Sequence, residues 1–149
     1  MIARELRREG VPPELAYLPI VESGFAVRAR GGSAVGMWQM TPDTARRYGL
    51  LVSSEVDERC DPEKSTRAAA RMLRDLYDTF ADWELAIAAY NAGPGRVQKA
   101  LERRPEAGFW ELADSGLLPA TTREYVPSVL AAMKLGTEDL PTDSAAIGA

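Results

Sequence analysis

Apolar positions recur along this chain at helical intervals, and no stretch alternates long enough to read as a strand. The segment Ile2 to Glu9 is amphipathic and stops at Gly10. Pro12 and Pro13 open a helix that carries Leu15, Tyr17, Leu18, Val21 and Glu22, since a first turn does not miss the proline N–H. Pro19 is expected to bend this helix without ending it. The glycine-rich "RARGGSAVGMWQMTP" reads as a loop. "TPDTARRYGL" then predicts a helix with Thr41 as N-cap, Pro42 in the first turn and Gly49 as the stop.

"VDERCDP" reads as a connection, and Asp61-Pro62 repeats the cap-plus-proline start signal. The longest helix follows, with Ala69, Met72, Leu73, Leu76, Tyr77 and Phe80 spaced for one face. A further helix carries Trp83, Ile87 and Tyr90 on a stripe and ends at Gly93-Pro94. Arg96 to Arg103 predicts another. Thr121-Thr-Arg-Glu124 has the form of a capping box, opening a last helix through Leu135 with Tyr125, Val129 and Met133 in line. The prediction is therefore one mainly α domain over residues 1–135, with 136–149 a flexible C-terminal tail.

One charge interrupts the apolar run "AYLPIVESGF". On a helix, Glu22 lies i+4 from Leu18 and i+7 from Leu15, on the face that should enter the core. A carboxylate taken out of water binds its proton more tightly, as a general acid must near neutral pH. The same position also suits a cap or an ion pair with an arginine between Arg28 and Arg30. Three other features have equally ordinary uses. Gln39 in "GMWQM" can be an exposed loop residue beside a core Trp38, and Asn91 can be chosen for left-handed geometry at a helix end. Tyr125 can be a core tyrosine with its hydroxyl satisfied.

Composition narrows the chemistry. With 46% apolar and 27% charged residues the chain suits a soluble globular fold. Its net charge of −4 offers no basic field, so nucleic acid is not an expected partner. There is no histidine, which excludes Ser-His-Asp and Cys-His catalysis and ordinary zinc sites, and the single Cys60 cannot form an internal disulfide. No run spans a bilayer, and the charged start lacks the apolar stretch of a signal peptide. Acid–base work falls to carboxylates, tyrosine, lysine or cysteine. Asp43, Asp57, Glu58 and Asp61 all sit in capping or connecting contexts that account for them without catalysis.

The order of segments is more specific than any one of them. "LPIVESGF…GMWQMTPDTARRYGL", "AIAAYNAGPGRV" and "TREYVPSVLA" together resemble the catalytic domain of lytic transglycosylases of the soluble-lytic-transglycosylase type. Trp before the Gln, "TARRYGL" and "DERCDP…STRAAARML" bring the membrane-bound lytic transglycosylase D branch nearest, over roughly residues 11 to 135. The resemblance implies a lysozyme-like helical domain with a substrate cleft and no evident β-hairpin lobe. It implies Glu22 as the single catalytic acid and Ser23 as a neighbour that orients the sugar. Gly36, Met37 and Gln39 correspond to a loop lining the cleft, Tyr90 and Asn91 to its floor, and Tyr125 to a tyrosine approaching the acid. "ARARGGSAVGMWQM" departs from the family by looking one residue shorter, with Gly31 where a serine often stands.

By the same resemblance, the substrate is peptidoglycan in the bacterial cell envelope, on the periplasmic side, handled by a monomer without metal or cofactor. Glu22 would protonate the β-1,4 glycosidic oxygen between N-acetylmuramic acid and N-acetylglucosamine. It would then accept the proton of the C6 hydroxyl that closes a 1,6-anhydro ring. Two alternatives stay open: a goose-type lysozyme-like hydrolase of the same bond, and a non-catalytic peptidoglycan-binding module.

Overall fold

The computed structural model of the chain describes residues 1–138. Helix α1 (Ile2–Arg8) leads through a 3-10 turn (Pro13–Tyr17) into α2 (Leu18–Ser23), and a ribbon of β1 (Arg30–Gly31) and β2 (Ala34–Val35) precedes α3 (Pro42–Arg47). After a second 3-10 turn (Glu58–Cys60) come α4 (Pro62–Phe80), α5 (Trp83–Ala92), α6 (Pro94–Arg103), α7 (Phe109–Asp114) and α8 (Ala120–Glu138). The fold is mainly α, and no helix among the described residues is long and apolar enough to cross a membrane.

The starts at Thr41 and Asp61 follow the capping chemistry read from the sequence, and Asp82 adds a further cap. Thr41 Oγ1 accepts the Thr44 N–H, Asp61 Oδ1 accepts the Lys64 N–H at 2.8 Å, and Asp82 Oδ1 accepts the Leu85 N–H at 2.9 Å. Helix α5 is the centre of the domain. Leu85 to Ala89 are all buried, because α4, α6, α7 and α8 pack around it. Its alanines, with Ala68, Ala69 and Ala70 of α4, let α4 and α5 approach closely. Trp38, fully buried, fills the space beside α4, and its indole N–H donates to Thr66 Oγ1 at 3.0 Å. Removing so large a buried side chain costs on the order of 3–5 kcal/mol.

Several expectations are corrected. Pro19 does not bend a continuous helix: it sits in the first turn of α2, and a 3-10 turn precedes it. A proline ring would displace the carbonyl four residues back, so the chain starts a new helix where the missing N–H is harmless. The loop contains an antiparallel ribbon, pairing Arg30 with Val35 and Gly31 with Ala34 around Gly32-Ser33. Two-residue strands are too short to show alternation. Helix α6 begins at Pro94 rather than Arg96, again with proline in the first turn.

Helix α7 was not anticipated, because it is six residues long and Gly108 offers no capping side chain, yet it buries Phe109 and Leu112. The capping box of α8 does not form. The helix starts at Ala120, with the Pro119 carbonyl accepting the Arg123 N–H, and it continues past Leu135 to Glu138. The remainder of the expected tail, 139–149, lies outside the described residues.

Candidate active site

Glu22 occupies the last turn of α2, and the chain leaves through Gly24 and Phe25, both left-handed at φ 60° and 64°. One of its oxygens, Oε1, accepts the hydroxyl proton of Tyr125 from α8 at 2.6 Å. No cation lies within ion-pair distance of Glu22 among the described residues, so the expected alternative of a pair with Arg28 or Arg30 is not realised. Burial raises the Glu22 carboxyl above the ordinary glutamate value, and the Tyr125 bond offsets part of that rise. The carbonyl end of α2 repels negative charge and acts in the same direction.

The phenols of Tyr90 and Tyr125 are held well above the usual range, first by burial and then by the charge of Glu22. Both therefore remain neutral donors. Tyr90 donates to the Trp38 carbonyl at 2.7 Å, and Ser23 donates to the Met37 carbonyl at 2.8 Å. Two successive carbonyls of the loop are thus tied to Ser23, next to Glu22 in sequence, and to Tyr90. Asn91, exposed at the end of α5, accepts the hydroxyl proton of Thr122 on its Oδ1 at 2.8 Å. That bond turns the Asn91 amide N–H groups outward as donors. Asn91 is not left-handed; Gly93 takes the positive φ of 88° that ends the helix.

The loop itself is built from within. Gln39 has a φ of 51°, and its amide donates to the carbonyls of Gly36 at 2.7 Å and Ala29 at 3.2 Å. Both amide protons are spent on the loop, and Oε1 faces Gly31, where a Cβ would come within 2.7 Å. Any side chain at residue 31 would meet this pinned amide, which accounts for glycine there. Gly36 is buried, and a Cβ there would lie 2.0 Å from the Arg59 carbonyl. Met37 is also buried, leaving only its backbone toward Ser23. Of the residues singled out from sequence, Glu22, Ser23, Tyr90 and Tyr125 are brought together, Gly36, Met37 and Gln39 form the loop tied to them, and Asn91 is joined to α8 through Thr122.

Two contributors were missed. Arg59, only 6% exposed, holds Asp57 through two 2.8 Å bonds and donates to the carbonyls of Ser33 and Met40 at 2.9 and 3.1 Å. It clamps the ribbon and loop from below, and its guanidinium keeps Asp57 below the ordinary aspartate value. No periodicity marks it. Thr122 did leave a signal: it is a polar residue on the α8 stripe that carries Tyr125, Val126 and Val129, three positions before the tyrosine. The other carboxylates weighed as a second catalytic group are occupied elsewhere. Asp43 pairs with Arg46, Glu58 binds Lys64 and the Leu51 N–H, and Asp61 caps α4.

Comparison with known proteins places the chain in a named group. Residues 1–113 match the family described as Transglycosylase SLT domain. Over 136 residues the chain is 43% identical to the membrane-bound lytic murein transglycosylase D of Escherichia coli K12, covering 87% of this chain and 29% of that protein. An inactive mutant of the lytic transglycosylase Slt from Pseudomonas aeruginosa superposes with a TM-score of 0.76 at 28% identity, over 92% of this chain and 23% of that one. The 70 kDa soluble lytic transglycosylase SLT70 of Escherichia coli gives 0.74 at 25% identity, over 87% and 23%. The chain therefore spans less than a third of the length of each of these proteins. The resemblance read from the motifs is thereby established, as is the fold it implied: this chain belongs to the transglycosylase SLT domain family.

Proposed function

We propose that the chain is a peptidoglycan lytic transglycosylase of the bacterial cell envelope, cutting the β-1,4 bond between N-acetylmuramic acid and N-acetylglucosamine without water. The observation that carries this reading is the Glu22 carboxyl, raised by burial, held by the Tyr125 hydroxyl, and with no carboxylate hydrogen-bonded to it among the described residues. A hydrolytic glycosidase ordinarily needs two carboxylates. Here one serves twice. Glu22 gives its proton to the glycosidic oxygen as the C1–O bond breaks, and the substrate's N-acetyl group stabilises the oxocarbenium-like centre. The C6 hydroxyl then attacks C1 and returns its proton to Glu22. The nucleophile is already tethered to the reacting carbon, which removes the entropic cost of recruiting water.

The exposed amide of Asn91 and the loop backbone beside Ser23 would bind the sugars, while Tyr125 steadies Glu22 in both protonation states. Tyr90, Gly36, Met37 and Gln39 would act by holding the loop's shape. Mass spectrometry of released muropeptides tests the reading. Products one water lighter than hydrolysis products are expected from the wild type, and Glu22→Gln should lower their release by about 10²–10⁴-fold, the usual weight of general acid catalysis. Reducing ends would assign the site to a lysozyme-like hydrolase, and equal clearing of cell walls by both proteins would remove Glu22 from the chemistry.

A further inference from the structure

Nine of the eighteen cations of this chain pair with acids among the described residues. Arg4, Arg8 and Arg67 surround Glu5, Arg71 reaches Glu9, Arg74 pairs with Asp78, and Lys64 with Glu58. Helix α6 gathers three of the others on one face. Arg96, Lys99 and Arg103 fall on one face at i, i+3 and i+7, and none has a carboxylate within ion-pair distance among the described residues. Like charges at this spacing repel and weaken a helix, so the stripe costs stability unless an anion meets it.

These side chains line a groove of about 630 Å³ between α6 and the segment Gly116–Pro119, within the ordinary size of a ligand site. Ala100, Leu117 and Leu118 give it an apolar floor, and Glu102 is the one acid on its rim. Arg104, next in sequence, turns away to Ser115 and Glu111. Both walls run back to the Asn91–Thr122 pair. Helix α6 begins just after Asn91, and Pro119 just precedes Thr122, so the Asn91–Thr122 bond stitches the two walls together at the cleft end.

We propose that this groove is a subsite for the carboxylate-bearing stem peptide that branches from the glycan, so that the domain favours peptide-bearing over denuded strands. The inference rests on peptidoglycan being the substrate. A stem peptide offers free carboxylates for the cations and alkyl side chains for the leucine floor, and it branches from the muramic acid whose bond Glu22 would cut. An exposed ion pair contributes about 0.2–1 kcal/mol, so three together should give roughly tenfold in affinity.

The test is a binding titration that needs no turnover. A soluble stem peptide with free carboxylates, and the same peptide with every carboxylate amidated, are titrated into the wild type and into the R96Q/K99Q/R103Q variant at low salt. Glutamine has nearly the helix propensity of arginine and lysine, and all three positions are exposed, so the variant should fold. The acid peptide should bind the wild type about tenfold more tightly than the amide, and the variant should lose that difference. Equal affinity for both peptides overturns the proposal, as does inorganic phosphate competing as well as the acid peptide, which would make the groove a general anion site. Turnover supplies a second readout. The ratio of anhydro-muropeptide release from peptide-bearing and amidase-denuded glycan should fall about threefold or more in the variant. Absence of anhydro ends from both proteins would count against the Glu22 chemistry and leave the titration to decide the subsite.

Discussion

Glu5 and Glu22 are two carboxylates drawn out of bulk water, and their proton affinities move in opposite directions. Glu5 is 2% exposed, but what covers it is a layer of arginines that are themselves half exposed. Burial alone would raise its carboxyl; Arg67, Arg4 and Arg8 outweigh burial and hold it below the ordinary glutamate value. Glu22 is half-buried and has one neutral donor, Tyr125, so burial prevails and its carboxyl rises. Withdrawal from water therefore does not by itself make an acid catalyst. The partners decide whether the group becomes an anchored anion or a stored proton.

The sharpest way to break this comparison is to make both side chains neutral without changing their shape. Glu22→Gln carries the largest expected effect, the loss of turnover described for the proposed reaction, whereas Glu5→Gln should leave the rate per folded molecule unchanged. Their effects on stability should have opposite signs. Glu22 binds its proton more tightly folded than unfolded, so its contribution is present below the unfolded value and lost as pH rises through the folded one. Glu22→Gln should therefore raise the melting temperature at pH 7 and leave it nearly unchanged below the unfolded glutamate value. Glu5 is the reverse: its lowered carboxyl stabilises the fold above the unfolded value and loses that effect as pH falls. Glu5→Gln should lower the melting temperature at pH 7 and converge on the wild type in acid. Calorimetry of the two variants across pH checks both signs, and shifts in the same direction would erase the distinction.

A smaller change tests the one partner Glu22 has. The Tyr125 hydroxyl lowers the Glu22 carboxyl relative to burial alone, because it bonds the ionised form more strongly. Tyr125→Phe should move the alkaline limb of kcat/KM to higher pH. It should also reduce kcat by about tenfold, the weight of one charge-assisted hydrogen bond of roughly 1.5 kcal/mol. A pH–rate profile displaced to lower pH would mean that Tyr125 favours the protonated carboxyl instead.

These contrasts show which parts of the molecule were legible in the sequence. Glu22 was, because it lies one helical turn from the buried Leu18, and so were the starts at Thr41 and Asp61, whose capping is local. Glu5 reads as an ordinary amphipathic position, since Arg67 reaches it across a separation of 62 residues. Arg59 is invisible for the same reason: its carbonyl partners Ser33 and Met40 lie on a ribbon too short to announce itself. Propensity also misleads where packing wins. Pro127 sits inside α8, where proline costs about 3 kcal/mol in an isolated helix, yet the buried Val126 and Val129 on either side keep the helix intact. The sequence order of motifs identified the family; the loop's internal bonding, with Gln39 spent on Gly36 and Ala29, required coordinates.

The mildest prediction concerns Thr122, which touches neither Glu22 nor, on the proposed reading, the reacting bond. Its buried hydroxyl fixes the rotation of the Asn91 amide while Tyr125, three residues on, fixes the Glu22 carboxyl. One face of α8 thus sets both the Asn91 amide and the Glu22 carboxyl, the proposed sugar-binding donor and acid. Thr122→Val keeps the volume and removes the hydroxyl proton, leaving Asn91 free to rotate its oxygen into the cleft. If Thr122 only positions the donor, KM should rise about fivefold, near 1 kcal/mol, with kcat and its pH dependence close to wild type. Thr122→Ser, which restores the proton, should recover most of the loss. A fall in kcat with KM unchanged would instead mean that α8 itself shifts and carries Tyr125 with it, and the two settings of the helix would then be one.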